Sequence, residues 1–266
     1  MHYDRIKKSL GNFVREHRIL RPLFYGALGA LFLREWHVKR VLRKLFREHP
    51  ISRVYDAGSG FGQYSYYIAK RYPQVGVYAV DVKEEQILDC RRFFKKARLG
   101  NVVFAVEDLT QPVHREEFDL ALSVDVMEHI PDDVAVFRNL HAALKSNGYL
   151  VVNTPSAPEH SEESVAGSFI DEHVRVGYSP KEIREKLSSA GFHVERIQFT
   201  YGPYGAIAWT AGIKIPMQLL GISRMFFVLL PFYYVIALPI SWIFMLCDYL
   251  MENRFGGGLL VVAKKP

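Results

Sequence analysis

Short apolar runs and amphipathic segments alternate along the middle of the chain. The runs are rich in β-branched residues and predict strands at residues 52–57, 76–81, 101–106, 118–123, 148–153 and 192–200. The segments between them carry apolar positions at helical spacing and predict helices at residues 62–71, 84–98, 132–145 and 179–190. This alternation predicts an α/β fold, with helices on both faces of a parallel sheet.

The apolar pattern changes after residue 202. Residues 225–247 form a 23-residue run without a charged side chain, interrupted by Pro231 and Pro239. Residues 203–222, which come before it, are almost as apolar. The longer run is a transmembrane candidate by its length.

The order of the segments limits how the insert at residues 203–255 can meet a membrane. The chain resumes with GLLVVA at residues 258–263, which predicts a last strand of the same sheet. A single crossing would leave that strand across the bilayer from the sheet. The two prolines and Lys214 suit a shallow position, so we expect an interfacial or re-entrant helical hairpin. An apolar cap or dimer interface in a soluble protein is the alternative.

The first 50 residues are strongly basic. They hold 12 Lys and Arg against 4 Asp and Glu, whereas the whole chain has a net charge of +6. Within residues 35–48 the apolar side chains form one helical stripe and the cations take the other face. Such a helix suits an anionic membrane surface. A core helix with a solvated face is the alternative. The apolar stretch at residues 22–33 lacks the cleavage site of a signal peptide.

These patterns predict four segments: a basic helical arm at residues 1–50, a core at 51–202, an apolar insert at 203–255 and the last strand of the core at 256–266. Only two cysteines occur, and they match neither a metal-ligand spacing nor a disulfide framework. We therefore predict no metal site and expect the cytoplasm as the compartment.

A glycine-rich turn follows the first predicted strand. Gly58, Gly60 and Gly62 allow the backbone to turn tightly and to approach a ligand at the carboxyl end of the strand. Asp81 ends the second strand, where a carboxylate can accept hydrogen bonds from both ribose hydroxyls of a nucleoside. The pattern favours a nucleoside cofactor. A dinucleotide fits less well, because Gln63 stands at the third glycine position of its motif.

Here the sequence resembles the class I S-adenosylmethionine-dependent methyltransferases of the small-molecule and lipid-modifying type. The resemblance covers residues 54 to about 200 and the last strand. It is carried by five segments: DAGSGFG at 56–62, VEDL at 106–109, SVDVMEHI at 123–130, LKSNGYLVV at 144–152 and the terminal GLLVVA. The fourth is similar to an L-K-P-G-G turn, from which Ser146 and Asn147 depart. The resemblance implies a Rossmann-like sheet of seven strands with the last strand antiparallel.

The resemblance also implies a cofactor, S-adenosyl-L-methionine, and the residues that hold it. They would be Asp56, Gly58, Gly60 and Gly62 around its methionine part, Asp81 at the ribose, Asp108 at the adenine, and Ser123 from the fourth-strand motif.

The acceptor side shows a weaker pattern. His129, and equally Glu128, follow the fourth strand and are candidates for a general base, with ordering of the loop as the alternative role. Residues 155–178 are polar and predict a flap over the acceptor. Within them the DEHVR segment resembles the H-x-R segment of related lipid and glycan methyltransferases, which makes His173 and Tyr178 the preferred acceptor-side residues. A surface loop without chemistry is the alternative.

We therefore predict a methyltransferase that is peripheral or monotopic on the cytoplasmic face of a membrane. Its acceptor would be lipid-like, such as a phospholipid, a quinone or another isoprenoid. A soluble methyltransferase of a small hydrophobic metabolite and a non-catalytic, cofactor-binding membrane scaffold are the alternatives. The fourth-strand motif lacks the Asn-Pro-Pro-Tyr sequence of enzymes that methylate DNA. Binding to a lipid membrane would explain both the basic arm and the apolar insert, whereas nucleic acid would explain only the arm. We therefore predict no nucleic-acid partner.

Overall fold

The structure is a computed structural model that describes residues 20–157, 174–223 and 225–266. Two compact units are present. The sheet unit comprises residues 41–198 and 258–266, and the accessory unit comprises the chain up to Arg40 together with residues 199–257. The N-terminal helices up to Arg40 and the apolar insert thus belong to the same unit.

Seven strands form one sheet: β1 (Arg53–Ala57), β2 (Gly76–Asp81), β3 (Val102–Val106), β4 (Phe118–Val124), β5 (Leu144–Pro155), β6 (His193–Thr200) and β7 (Gly258–Lys264). The described helices are α1 (Leu20–Leu31), α2 (Leu33–Glu48), α3 (Gln63–Arg71), α4 (Glu84–Lys96), α5 (Asp133–Ala143), α6 (Pro180–Ser189), α7 (Pro203–Trp209), α8 (Ile215–Ile222) and α9 (Phe226–Leu250). A 3-10 turn lies at Met127–His129 and a π-helical segment at Thr210–Lys214.

The strand order is β3-β2-β1-β4-β5-β7-β6. Strands β1 to β5 pair in parallel, whereas β7 runs antiparallel to β5, from Pro155 opposite Gly258 to Tyr149 opposite Lys264. The predicted seven-stranded sheet with an antiparallel last strand is therefore confirmed. The carboxyl ends of β1, β2 and β4 lie at one edge, because Ala57 pairs with Val80 and Asp56 pairs with Leu122.

The connection into β5 differs from the prediction. The helix predicted to reach residue 145 ends at Ala143, and β5 begins at once with Leu144 opposite Phe118. The register then shifts, so that Tyr149 lies opposite Leu120. Asn147 makes this bulge with φ 65°, a conformation that asparagine tolerates better than most side chains do. Asn147 can therefore stand where the related turn has glycine.

The accessory unit contains a helical hairpin. Its first arm consists of α7, the π-helical segment and α8, and α9 returns antiparallel to it. At one end the Gly205 amide donates to Asp248 Oδ2 over 3.0 Å, and further along the Tyr234 hydroxyl donates to the Gly212 carbonyl over 2.8 Å. A small apolar core of Leu33, Ala208 and Met245 lies within this unit.

Helix α9 buries only a narrow stripe: Ala237, Ser241, Met245 and Asp248. The rest of its surface is apolar and open, with Phe232 72% and Val235 73% exposed. Among the residues that the structure describes, α9 is the one helix whose length and composition would allow it to cross a membrane.

Candidate functional site

The glycine turn that follows β1 brings backbone to the edge of the sheet. Gly58, Gly60 and Gly62 have φ of 82°, 52° and 72°, which L side chains rarely adopt. A Cβ on Gly58 would lie 2.3 Å from a methyl carbon of Val126, whereas a Cβ on Gly60 would meet nothing closer than the side-chain oxygen of Gln86 at 4.0 Å. The turn is thus tightly packed against Val126 at Gly58 and has open space beside Gly60.

Asp81 is joined directly to this turn. Its Oδ2 accepts the Gly60 amide over 3.0 Å and its Oδ1 accepts the Lys83 amide over 2.9 Å. The carboxylate is only partly buried, and each of its oxygens can accept a further hydrogen bond. The glycine turn and the predicted ribose acid therefore form one cluster.

Asp56 lies beneath the turn. It is 3% exposed, and its Oδ2 accepts the Ser65 hydroxyl over 2.5 Å, which ties β1 to α3. Burial raises the pKa of the Asp56 carboxyl to about 6, and the nearby charge of Asp81 acts in the same direction, while the Ser65 hydroxyl opposes both. The bond between Asp56 and Ser65 thus braces the turn, and the predicted contact of Asp56 with the methionine part of the cofactor stays a prediction.

The ends of β4 and β5 carry polar groups, of which the sequence pattern had selected Glu128 but not Asp125, Asn153 or Thr154. Asn153 donates from Nδ2 to Asp125 Oδ1 over 3.0 Å, and the Asp125 amide donates to the Asn153 carbonyl over 2.9 Å. Thr154 donates its hydroxyl to the buried Glu128 Oε2 over 3.3 Å. These pairs follow from the register of two strands, which no local sequence pattern encodes.

Two buried hydroxyls at this edge have no hydrogen-bond partner in the part of the chain that the structure describes. They belong to Ser59, in the glycine turn, and Ser123, at the end of β4. Since buried polar groups are normally paired, both are available to a ligand's polar atoms.

Asp108 lies on an exposed loop after β3. Its Oδ1 accepts the amide and the hydroxyl of Thr110, over 2.9 and 2.8 Å, and so closes a local turn. The neighbouring Glu107 instead accepts the hydroxyls of Tyr55 and Tyr78, over 3.1 and 2.7 Å, and contacts the His114 ring. Sequence reasoning missed this cluster because its members come from separate strands and loops.

Of the predicted acceptor-side residues, Tyr178 lies against the 3-10 turn that contains His129. His129 is half-buried in the 3-10 turn after β4, and His173 lies outside the described residues. Tyr178 is fully buried. Its hydroxyl lies 2.6 Å from Asp133 Oδ2 and 3.1 Å from the Met127 carbonyl, and it accepts from Arg175 over 2.8 Å.

Tyr178 thereby anchors the segment after β5 to the turn after β4. Burial raises the pKa of its hydroxyl far above the usual range, which disfavours the phenolate. Lys186 also reaches Asp133, over 2.7 Å, so the anchor is a network of charge-assisted bonds.

The chain belongs to a family of methyltransferase domains, whose family model matches residues 48–191. It is 31% identical over 149 residues to phosphoethanolamine N-methyltransferase 1 of Triticum aestivum, which covers 53% of this chain and 28% of that protein. It is 29% identical over 127 residues to trans-aconitate 2-methyltransferase of Rhizobium rhizogenes, which covers 46% of this chain and 48% of the relative. The chain thus matches less than half the length of either protein.

Among solved structures, the fold is similar to that of phosphoethanolamine N-methyltransferase 2 of Haemonchus contortus in complex with S-adenosyl-L-methionine. The TM-score is 0.60 at 19% identity, covering 86% of this chain and 52% of the other. The family assignment confirms the predicted methyltransferase class and S-adenosylmethionine as the cofactor of this domain.

The residues present fit that cofactor. The turn has no room for a side chain at Gly58 and leaves open space at Gly60. The Asp81 carboxylate lies beside the turn and can accept further hydrogen bonds. Ser59 and Ser123 contribute buried hydroxyls at the same edge. A cationic nucleoside with a ribose and an amino-acid tail needs such a combination of close backbone, carboxylate and hydroxyl groups.

Proposed function

We propose that this protein transfers the methyl group of S-adenosylmethionine to a lipid-like acceptor at the cytoplasmic face of a membrane. When bound, the cofactor would supply a methyl group on a sulfonium: the acceptor nucleophile would bond to the methyl carbon in line as the carbon–sulfur bond breaks and S-adenosylhomocysteine leaves. The protein's part is to hold both molecules in alignment and to exclude water. The turn at Gly58–Gly62, together with Asp81, would hold the cofactor.

Asp125 and Glu128 follow β4 at the carboxyl edge of the sheet, and we propose that they serve the acceptor. Asp125 is held by Asn153, and Glu128 by Thr154. Two fixed carboxyl groups of this kind can orient a polar headgroup, and Glu128 or His129 would take a proton only if the acceptor has to lose one. His173 and Tyr178 remain our proposed acceptor-side residues, and Tyr178 would act by anchoring residues 174–178 to the turn after β4.

The observation that carries the membrane part of the proposal is the open apolar face of α9. The helix is 25 residues long, about 37 Å, which exceeds the thickness of a bilayer's hydrocarbon core. Large side chains such as Phe227, Phe232 and Ile236 are 60%, 72% and 69% exposed. A contiguous apolar surface of this size is unusual on a monomeric soluble protein.

The connectivity favours a hairpin that enters and leaves on one side. The insert leaves the sheet after β6 and returns to it at β7. Its first arm is interrupted by the π-helical segment, which ends in Lys214. Within the described parts of the chain, α9 therefore has no second apolar helix of equal length to complete a pair of spans. We therefore favour a monotopic, re-entrant position.

A second candidate function rests on the relatives. The two curated relatives above are named for small acceptors, phosphoethanolamine and trans-aconitate, rather than for lipids. This favours a methyltransferase of a small metabolite in which the insert covers a pocket or forms a dimer. Flotation of the purified protein with vesicles separates the two candidates.

The decisive experiment supplies methyl-labelled S-adenosylmethionine and a total lipid extract to the purified protein. We expect label in the organic phase for the wild type and for Glu185→Gln, an exposed carboxylate on α6 that serves as the matched control. We expect at least a hundredfold less for Asp81→Asn, because the amide keeps the shape of the side chain and loses its charge. Label that stays in water-soluble products would favour the small-metabolite candidate, and cofactor binding without transfer would favour the non-catalytic scaffold.

A further inference from the structure

An apolar groove of about 580 Å³ lies within the accessory unit. Its walls come from the end of α1, from α2 and from the second half of α9. The lining residues are Gly29, Ala30, Trp36, Pro239, Trp242, Ile243 and Leu246. Along α9 the groove extends from Pro239 to Leu246, about 10 Å.

The polar atoms of this lining are already paired. The Trp36 indole donates to the Gly29 carbonyl over 2.7 Å, and the Trp242 indole donates to the Ala30 carbonyl over 2.9 Å. These two carbonyls lie at the end of α1, where a helix leaves its last acceptors without internal donors. With the indole N–H groups used in this way, the groove presents ring faces, aliphatic side chains and the Cα of a glycine, a surface that favours an apolar occupant.

Two cationic side chains, Lys39 and Arg40, lie beside the groove. The Lys39 ammonium lies 3.7 Å from the position that a Cβ on Gly29 would take, and it pairs with Glu35. The next residue, Arg40, is exposed, donates to the Tyr249 carbonyl over 2.7 Å and covers the Tyr249 ring at 4.8 Å. In the accessory unit, the described residues include six Lys and Arg against three Asp and Glu. Lys39 and Arg40 against Glu35 leave one net positive charge beside the groove, which is complementary to an anion.

We propose that this groove binds one chain of an anionic lipid, with the hydrocarbon on Trp36, Trp242 and Ile243 and the negative headgroup beside Lys39 and Arg40. Two observations select this occupant over a protein helix. The groove is short, and its lining offers no free hydrogen-bonding groups for a peptide backbone. Its cations lie together, as the binding of a single headgroup requires. Its outer wall, formed by Ile243 and Leu246, continues into the exposed apolar face of α9. This inference rests on the proposed membrane location and is independent of methyl transfer.

The three tryptophans of the chain provide the measurement, because two of them line the groove and the third, Trp209, lies on α7. In a Trp209→Phe background, fluorescence reports on the groove alone. The probe is a fatty acid brominated in its chain, added below its micelle concentration so that no bilayer is present. We expect saturable quenching, because bromine would lie against the indole rings.

Two glycines of α1 provide the matched pair of variants. A Cβ on Gly29 meets only the end of Lys39, and a Cβ on Gly26 meets nothing within 4 Å, so both positions accept a side chain. Gly29→Leu would fill the groove and should weaken binding at least tenfold, whereas Gly26→Leu, one turn earlier and outside the groove, should bind as the wild type does. Lys39→Gln should weaken binding of the fatty acid and leave quenching by a brominated alcohol of the same chain length unchanged.

Equal quenching in the two glycine variants, or no quenching in either, would overturn the proposal. Circular dichroism shows whether Gly29→Leu is folded. If it is not, Ile243→Ser inside the groove and Val235→Ser on the same helix outside it replace the pair. A protein that binds the free fatty acid but fails to float with vesicles would retain this site and lose the proposed membrane location, so the two failures are distinguishable.

Discussion

At the scale of single residues, Gly58 shows how closely the cofactor turn is packed. Both its φ and the 2.3 Å approach to Val126 exclude a side chain, and these two causes can be separated by mutation.

We predict that Gly58→Ala lowers cofactor affinity at least tenfold and destabilises the fold by about 2–4 kcal/mol, from the left-handed backbone and the overpacking together. The double variant Gly58→Ala/Val126→Ala should recover the packing part and leave the backbone part. Gly100→Ala, where a Cβ meets nothing within 4 Å, is the control. Calorimetric titration with S-adenosylhomocysteine and urea unfolding measure the two effects. Unchanged affinity would mean that the turn does not approach the cofactor.

Asp56 leads to a prediction about pH. Its carboxyl has a pKa raised to about 6 in the folded protein, against about 3.9 in an unfolded chain. The folded state therefore holds the proton more tightly, and the contribution of Asp56 to stability is complete below pH 4 and is lost as the pH rises through 6.

Asp56→Asn should accordingly gain stability relative to the wild type as the pH rises, by about 2–3 kcal/mol between pH 4 and pH 7.5. Asparagine keeps an acceptor for the Ser65 hydroxyl. Urea unfolding of both proteins across this range measures the difference, with Glu185→Gln as the exposed control. A constant difference between Asp56→Asn and the wild type would show that the buried carboxyl does not titrate there.

At the scale of elements, the π-helical segment explains why the first arm of the hairpin is not one continuous helix. A π turn leaves carbonyls outside the regular pattern, and the hydroxyls of Tyr233 and Tyr234 donate to Ala211 and Gly212, over 2.6 and 2.8 Å. Without these donors the carbonyls would be unpaired in an apolar environment. Nothing in the local sequence predicts this pairing across 22 residues, whereas the helical character of both arms follows from composition.

We predict that Tyr233→Phe/Tyr234→Phe increases hydrogen exchange in residues 210–215 at least tenfold, because losing a bond to a buried carbonyl costs about 1–3 kcal/mol. Tyr204→Phe is the matched control, since its ring stacks on Phe244, a contact that phenylalanine keeps. Exchange measured by mass spectrometry on the protein in mild detergent reports the result. If the double variant exchanges like the control, the tyrosines are not what holds the π turn.

At the scale of the whole molecule, sequence succeeds where structure is locally encoded. Strand and helix positions and the proximity of the glycine turn to Asp81 follow from short patterns or from the family resemblance. The network around Tyr178 does not, because Asp133 and Lys186 reach it from distant parts of the chain. Sequence pattern therefore predicts the glycine turn and its neighbouring carboxylate better than the contacts around Tyr178.

The last prediction concerns what holds the molecule on a membrane. Basic residues and apolar surface contribute differently to membrane binding, because salt screens the attraction of basic residues to anionic lipid but does not weaken the burial of apolar surface. In flotation with vesicles of phosphatidylcholine and 30% phosphatidylglycerol, we expect 0.5 M salt to reduce binding only a few-fold. Phe232→Ser/Val235→Ser, which removes about 200 Å² of exposed apolar surface at roughly 25 cal/mol per Å², should reduce binding at every salt concentration. The control is Arg196→Gln, in β6. Complete release by salt, with no effect of the α9 substitutions, would leave electrostatic attraction as the only anchor and would favour the soluble methyltransferase with an apolar cap.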